Sequence, residues 1–131
     1  MQFPNNLKYS KEHEWVRIDG NKVVVGISDY AQSQLGDIVF VELPALGAVV
    51  SAGKRFSVVE SVKAVSDIFA PVTGIVTEIN EALNDAPEKV NQDPYGEGWI
   101  AVVEIPAGAA MDDLMDSTVY SGLVAKGGAL K

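Results

Sequence analysis

Any chemistry in this sequence has to be built around Lys63. The residue stands in Glu60-Ser61-Val62-Lys63-Ala64-Val65-Ser66-Asp67, near the middle of 131 residues. Its neighbours are small or β-branched, so nothing beside it shields its side chain. The apolar run Arg55-Phe56-Ser57-Val58-Val59 precedes it. Asp67-Ile68-Phe69-Ala70 follows, punctuated by Pro71 and Gly74. A lysine in this setting is ordinarily a solvated hairpin residue. The same setting is also what a covalent carrier needs. A fixed turn presents a four-carbon stem, and acylation lengthens that stem and removes its charge. Glu60 and Asp67 flank the lysine and could mark it for a modifying enzyme.

Little else in the sequence is suited to catalysis. There is no cysteine, which excludes disulfides, thiolate chemistry and cysteine-based zinc sites. His13 is the only histidine, so no site needing two can form, and a lone histidine is read as a packing residue. No triad or metal set emerges, which argues against an autonomous enzyme. Trp15 and Trp99 read as core. Gly74, Gly96 and Gly98 read as turn glycines and form no phosphate-binding loop. A net charge of −8 argues against nucleic acid and anionic membrane surfaces as partners. It suits docking onto basic patches of other proteins. No apolar run approaches the roughly 20 residues of a membrane span. Met1-Gln2-Phe3-Pro4-Asn5-Asn6 has neither the pattern of a signal peptide nor that of an Arg-rich transit peptide. That start points to a bacterial cytoplasm rather than a mitochondrion.

The elements that must position Lys63 are mostly strands. The length supports one domain spanning 1–131, with a core over about 7–123 and loose termini at 1–6 and 125–131. Residues 1–8 read as a loose arm and 9–18 as a strand. Asp19-Gly20-Asn21 is a turn, and 22–27 is the return strand. Ser28 is placed as N-cap of a short helix over 29–35, stopped by Gly36. Strands are expected over 37–43, 48–50, 55–60, 65–69, 74–79 and 99–105. The stretch 80–98 reads as a polar, acidic loop with a helical turn opened by Pro87. Within 78–97 its six acids and one lysine make it a solvated loop or a docking face. Residues 111–124 carry Leu114, Met115, Val119, Tyr120 and Leu123 at helical spacing. Gly127-Gly128 marks a frayed tail.

A faint repeat runs through the strands. Val58-Val59-Glu60 recurs as Val102-Val103-Glu104, and Ile38-Val39 recurs as Ile75-Val76. Two such halves predict a two-sheet sandwich with approximate twofold symmetry. Lys63 then falls at the turn that joins them.

Six segments resemble the glycine cleavage system H protein family, in order and at family spacing over roughly 7–123. They are Lys11-Glu12-His13-Glu14-Trp15-Val16, Gly26-Ile27-Ser28-Asp29-Tyr30-Ala31-Gln32, Gly36-Asp37-Ile38-Val39-Phe40-Val41-Glu42-Leu43-Pro44 with Glu60-Ser61-Val62-Lys63-Ala64, Asn80-Glu81-Ala82-Leu83, and Asn91-Gln92-Asp93-Pro94-Tyr95-Gly96-Glu97-Gly98-Trp99. The resemblance implies a mainly β barrel-sandwich hybrid, like lipoyl and biotinyl domains, with short flanking helices and a C-terminal helix. It implies lipoate in amide linkage on Lys63, attached by a lipoate-attaching enzyme. It implies a carrier that takes an aminomethyl group from the P protein (a glycine decarboxylase) to the T protein (an aminomethyltransferase) and electrons to the L protein (a dihydrolipoyl dehydrogenase). Glu60 and Gly47 are implied in recognition for modification, and Glu14 and Asp67 in a cleft that holds the loaded arm. Glu12 and Gln34 stand where some family members have serine and histidine. Release governed by a histidine at position 34 therefore cannot operate here. A monomer is expected.

Other readings stay open from the residues. One is a relay of lipoate to 2-oxoacid dehydrogenases. Another is an unmodified β-rich interaction module. A biotin carrier is disfavoured, because Val62 and Ala64 replace the methionines that usually flank a biotinyl lysine.

Overall fold

The structure, a computed structural model, describes residues 1–107 and 113–126. The expected helix residues 111–112 and the tail from 127 lie outside the described residues. In chain order the strands are β1 Lys8–Tyr9, β2 Glu14–Asp19, β3 Lys22–Ile27, β4 Ile38–Glu42, β5 Val49–Val50, β6 Arg55–Ser61, β7 Val65–Phe69, β8 Gly74–Ile79 and β9 Ala101–Glu104. The helices are α1 Asp29–Leu35, α2 Ala82–Asp85, α3 Lys89–Gln92 and α4 Ser117–Ala125.

A six-stranded sheet, in the order β1-β2-β3-β9-β8-β5, packs on a three-stranded sheet, β4-β6-β7. Val25, Val76 and Val103 from the first and Ile38, Val41, Val59 and Ile68 from the second share one buried cluster. This is the expected mainly β sandwich with short helices and a C-terminal helix. Neither sheet closes into a barrel.

The repeat has a structural counterpart. β4 pairs with β6, and β8 pairs with β9, each antiparallel and each with a register shift. A third strand lies on the member of each pair that carries Val-Val-Glu, β7 on β6 and β3 on β9. Each copy of the repeat therefore builds the centre of a different sheet. The lysine turn is the β6–β7 hairpin.

Four segments differ from expectation. The strand expected over 9–18 is two strands. Residues 10–13 reverse the chain, so that Lys8 faces Val16 and Tyr9 faces Trp15. His13 takes a left-handed backbone at φ 75°, a conformation few non-glycine residues adopt. The turn is closed by Ser10 and His13 N–H groups donating to Glu14 and Ser10 carbonyls at 2.8 and 3.0 Å. No glycine or proline announces it. The second difference is in 80–98, where the acidic stretch folds into α2 and α3 around Pro87. Leu83 and Val90 are fully buried and pin them to the core. The C-terminal helix also starts later than expected, at Ser117, because Asp116 caps it by accepting from Val119 N–H.

The N-terminal arm is tied down rather than loose. Gln2 N–H donates to Asp29 at 3.0 Å, and the Tyr95 hydroxyl donates to the Gln2 carbonyl at 2.7 Å. Phe3 sets its ring edge-on to Tyr9 and Tyr120. These aromatics, with Leu7 and Trp15, form a second buried cluster under α4.

Candidate functional site

Val62 and Lys63 are the two central residues of the β6–β7 turn. Two-residue hairpin turns usually need left-handed backbone at one or both centres. Neither residue has it here. Ser61 supplies the closure instead. Its N–H donates to the Ala64 carbonyl at 2.8 Å. Its Oγ accepts from the N–H groups of Lys63 and Ala64 at 3.2 and 3.0 Å. Val62 N–H donates to the Asp37 carbonyl at 3.0 Å, holding the turn to the start of β4. Sequence reasoning passed over Ser61, although a serine opening a turn is a known signal.

The Lys63 side chain is exposed and forms no ion pair among the described residues. A methyl group placed on Gly36 would lie 3.7 Å from Lys63 Cε, so the stem leans over the end of α1. Gly36 sits at φ 82° there. Asn91 fixes this corner. Its side chain accepts from Ile38 N–H and donates to the Gly36 carbonyl and Gln32 Oε1, each at 2.9 Å. It is a second positioning residue that the sequence reading did not single out.

A cleft of about 230 Å³ opens between α1 and β7. Its polar lining includes Glu12, His13, Tyr30, Gln34 and Asp67, over an apolar wall that includes Ile27 and Ile68. Glu12 and Gln34 thus face the same space as Asp67. Asp67 is half-exposed and 4.0 Å from the Arg55 guanidinium, an open pair worth little in water. His13 is buried as expected, with Nδ1 2.6 Å from the Tyr120 hydroxyl and its ring tilted against Tyr30.

Glu14 lies elsewhere. It borders the neighbouring groove of about 370 Å³ with Ser10, Lys11 and Phe69, and Glu12 borders both spaces. Glu14 is 1% exposed. Its Oε1 accepts from the Ser10 hydroxyl at 2.5 Å and its Oε2 from Phe69 N–H at 3.3 Å. Burial pushes its carboxyl up to about 7, against the pull of those bonds, and the Glu12 charge adds a smaller push the same way. Tyr120, also missed by the sequence reading, is fully buried, with its hydroxyl 2.7 Å from Ser28 Oγ. Burial raises that hydroxyl above the usual tyrosine range.

Glu60 is half-buried on β6, facing Phe40 of β4 and Val65 of β7. Gly47 is not at the hairpin. β4 begins beside Ser61 and runs away from it, and Gly47 follows its far end. At φ 82° it turns the chain there, and its N–H donates to Val76 at 2.8 Å.

The site is therefore one exposed lysine, mounted on a hydrogen-bonded hairpin of a small β-sandwich, beside a cleft with acids at its rim. Among the described residues no cluster of histidine and acidic side chains could hold a metal ion. Such a fold and site set one exposed lysine at the apex of a hairpin. Comparison with known proteins gives the family. The Glycine cleavage H-protein family matches residues 7–127. A glycine cleavage system H protein of Brevibacillus brevis is 55% identical over 95% of this chain and 98% of its own. That of Carboxydothermus hydrogenoformans is 53% identical over 95% and 96%. The crystal structure of a glycine cleavage system H protein from Mycobacterium marinum superposes with a TM-score of 0.87 at 39% identity, covering 94% of this chain and 99% of that one. The chain belongs to the glycine cleavage H-protein family, and it is a carrier rather than an enzyme.

Proposed function

We propose that Lys63 carries lipoate in amide linkage and that the chain is the mobile carrier among the P, T and L proteins of glycine cleavage. The observation that carries this reading is the exposed Lys63, which forms no ion pair among the described residues, on a turn held by Ser61. An amine committed to an ion pair would resist acylation, and no described residue commits this one. Lipoate, when attached, supplies two sulfurs that accept a one-carbon unit and electrons, a role this cysteine-free chain cannot fill itself.

The chain's own residues would do three things. Ser61, Asn91 and the Asp37 carbonyl keep the hairpin fixed, so that only the arm moves. Asp67 and Glu12 give the cleft a negative rim, which attracts a cationic amine and screens it from water. Gln34 can hydrogen-bond there but carries no charge at any pH. Glu60, beside the hairpin, and Gly47, through the turn it forms, would serve recognition by the lipoate-attaching enzyme. We place this activity in one domain of a bacterial cytoplasmic monomer. Its named relatives are bacterial, and no helix among the described residues is long and apolar enough to cross a membrane.

Intact mass spectrometry of the natively expressed chain should show one lipoyl addition, lost in Lys63→Arg. An unmodified Lys63 in lipoate-replete cells overturns the reading. Glycine-dependent reduction of the arm by purified glycine decarboxylase should also be seen. A protein that only relays lipoate would show none.

A further inference from the structure

We propose that an apolar frame around Lys63 is the docking surface of the enzyme that forms the amide at its Nζ. Val39, Phe40, Val62 and Val65 are 52, 47, 69 and 67% exposed. All four lie on or beside the hairpin. Val62 is in the turn. Phe40, Glu60 and Val65 are direct cross-strand neighbours on β4, β6 and β7, so their side chains share one face of the three-stranded sheet.

Val39 joins them because β4 bulges. Ile38 faces Ser61 and Phe40 faces Glu60, leaving Val39 as the extra residue. Strict alternation would turn one of Val39 and Phe40 inward, and the bulge leaves both facing solvent. Single exposed apolar residues need no explanation, but several gathered around one reactive amine mark an interaction surface. At the centre of the frame Glu60 is half-buried, with no ion-pair partner among the described residues. The complementary face is apolar and places an arginine or lysine against Glu60.

The position of the frame selects the occupant. This step rests on Lys63 being the attachment site. Enzymes that act on a loaded arm meet its far end, beyond the lysine stem. The enzyme that loads it must bring an activated acyl carbon to Nζ. There the amide C–N bond forms as the acyl carbon breaks from its activating phosphate, which leaves, and the ammonium Nζ releases two protons and keeps one as the amide N–H. Only that enzyme has to enclose the apex of the hairpin, and the frame surrounds that apex.

The test uses the unmodified full chain as substrate for a purified lipoate–protein ligase with lipoate and ATP, followed by intact mass. Phe40→Thr and Val65→Thr keep strand-favouring residues on the surface, and circular dichroism confirms the fold. Each should raise KM for the chain about tenfold, equivalent to about 1.4 kcal/mol, with kcat unchanged. Val49→Thr, on the other sheet and 75% exposed, should leave KM unchanged. Once loaded at saturating ligase, the variant arms should be reduced at the wild-type rate by dihydrolipoyl dehydrogenase with NADH as the electron donor. Unchanged KM in both frame variants overturns the proposal while leaving the attachment site intact. An equal loss with the dehydrogenase overturns the assignment to the loading enzyme. Failure of the wild-type chain to be acylated at Lys63 removes the attachment reading and the proposal together.

Discussion

Glu14 is the residue whose behaviour most depends on its surroundings. From sequence it reads as one of two acids at the rim of a cleft. Folded, it is buried behind β7 with its carboxyl pushed up to about 7 from an ordinary 4.5. The sign of the linkage follows. Between pH 4.5 and 7 the folded chain holds a proton that the unfolded chain has released. Stability from this group is therefore fully present below about 4.5, is lost as pH rises to about 7, and stays lost above. The span corresponds to something on the order of 3 kcal/mol. Glu14→Gln removes the titration and keeps an acceptor for Phe69 N–H. Urea unfolding at pH 5 and pH 8 should show the variant more stable than wild type at pH 8 and much less pH-dependent. A wild-type chain equally stable at both values contradicts the account. The positions of Asp67, Glu60 and Lys63 were legible from sequence because each sits on or beside one hairpin turn, where spacing maps directly onto position. Glu14 was not, because an unannounced turn at 10–13 precedes it.

At the scale of elements, α1 and α4 are joined through one buried hydroxyl pair. Ser28 caps α1 by accepting from Ala31 N–H at 3.1 Å, and the same Oγ lies 2.7 Å from the Tyr120 hydroxyl. The cap was readable from the sequence, since a serine before an acidic first turn is a local signal. Its second role was not, because the partner lies 92 residues away. Ser28→Ala should cost about 2 kcal/mol, combining the lost cap with a buried tyrosine hydroxyl left short of a partner. Tyr120→Phe should cost about 1 kcal/mol, and a double-mutant cycle by chemical denaturation should give a coupling of about 1 kcal/mol. Strict additivity would mean that the two helices are held independently. α2 and α3 teach a related lesson. Four-residue helices in a polar stretch carry almost no periodicity, and what fixes them is the burial of Leu83 and Val90.

Over the whole molecule, the two ends of the described chain meet. Residues 2–9 and α4 enclose the second cluster, with Tyr9 and Tyr120 stacked at 4.6 Å and Phe3 closing it edge-on. An arm of polar and turn-forming residues reads as loose because its one aromatic has no visible partner in sequence. Phe3→Ala should lower stability by about 1–2 kcal/mol in thermal or chemical unfolding. A neutral result would show that the arm is not held. The same cluster reaches the cleft through the Tyr120 hydroxyl beside His13, so the ends brace one wall of that cleft.

The sequence alone determined the strands from β3 onward, the α1 helix with both its caps, the repeat and the exposed lysine. Each rests on short-range signals: alternation, capping serine, turn glycine and small neighbours. Only the tertiary structure decided which acids share a space. It put Asp67 with Glu12 and Gln34, set Glu14 behind them, and carried Gly47 to the far end of β4. It also turned Val39 and Phe40 outward together through a bulge. Those outcomes depend on cross-strand register and on contacts many residues apart. A chain read one residue at a time cannot sum them, because each arises from burial that forms only when both sheets close on one core.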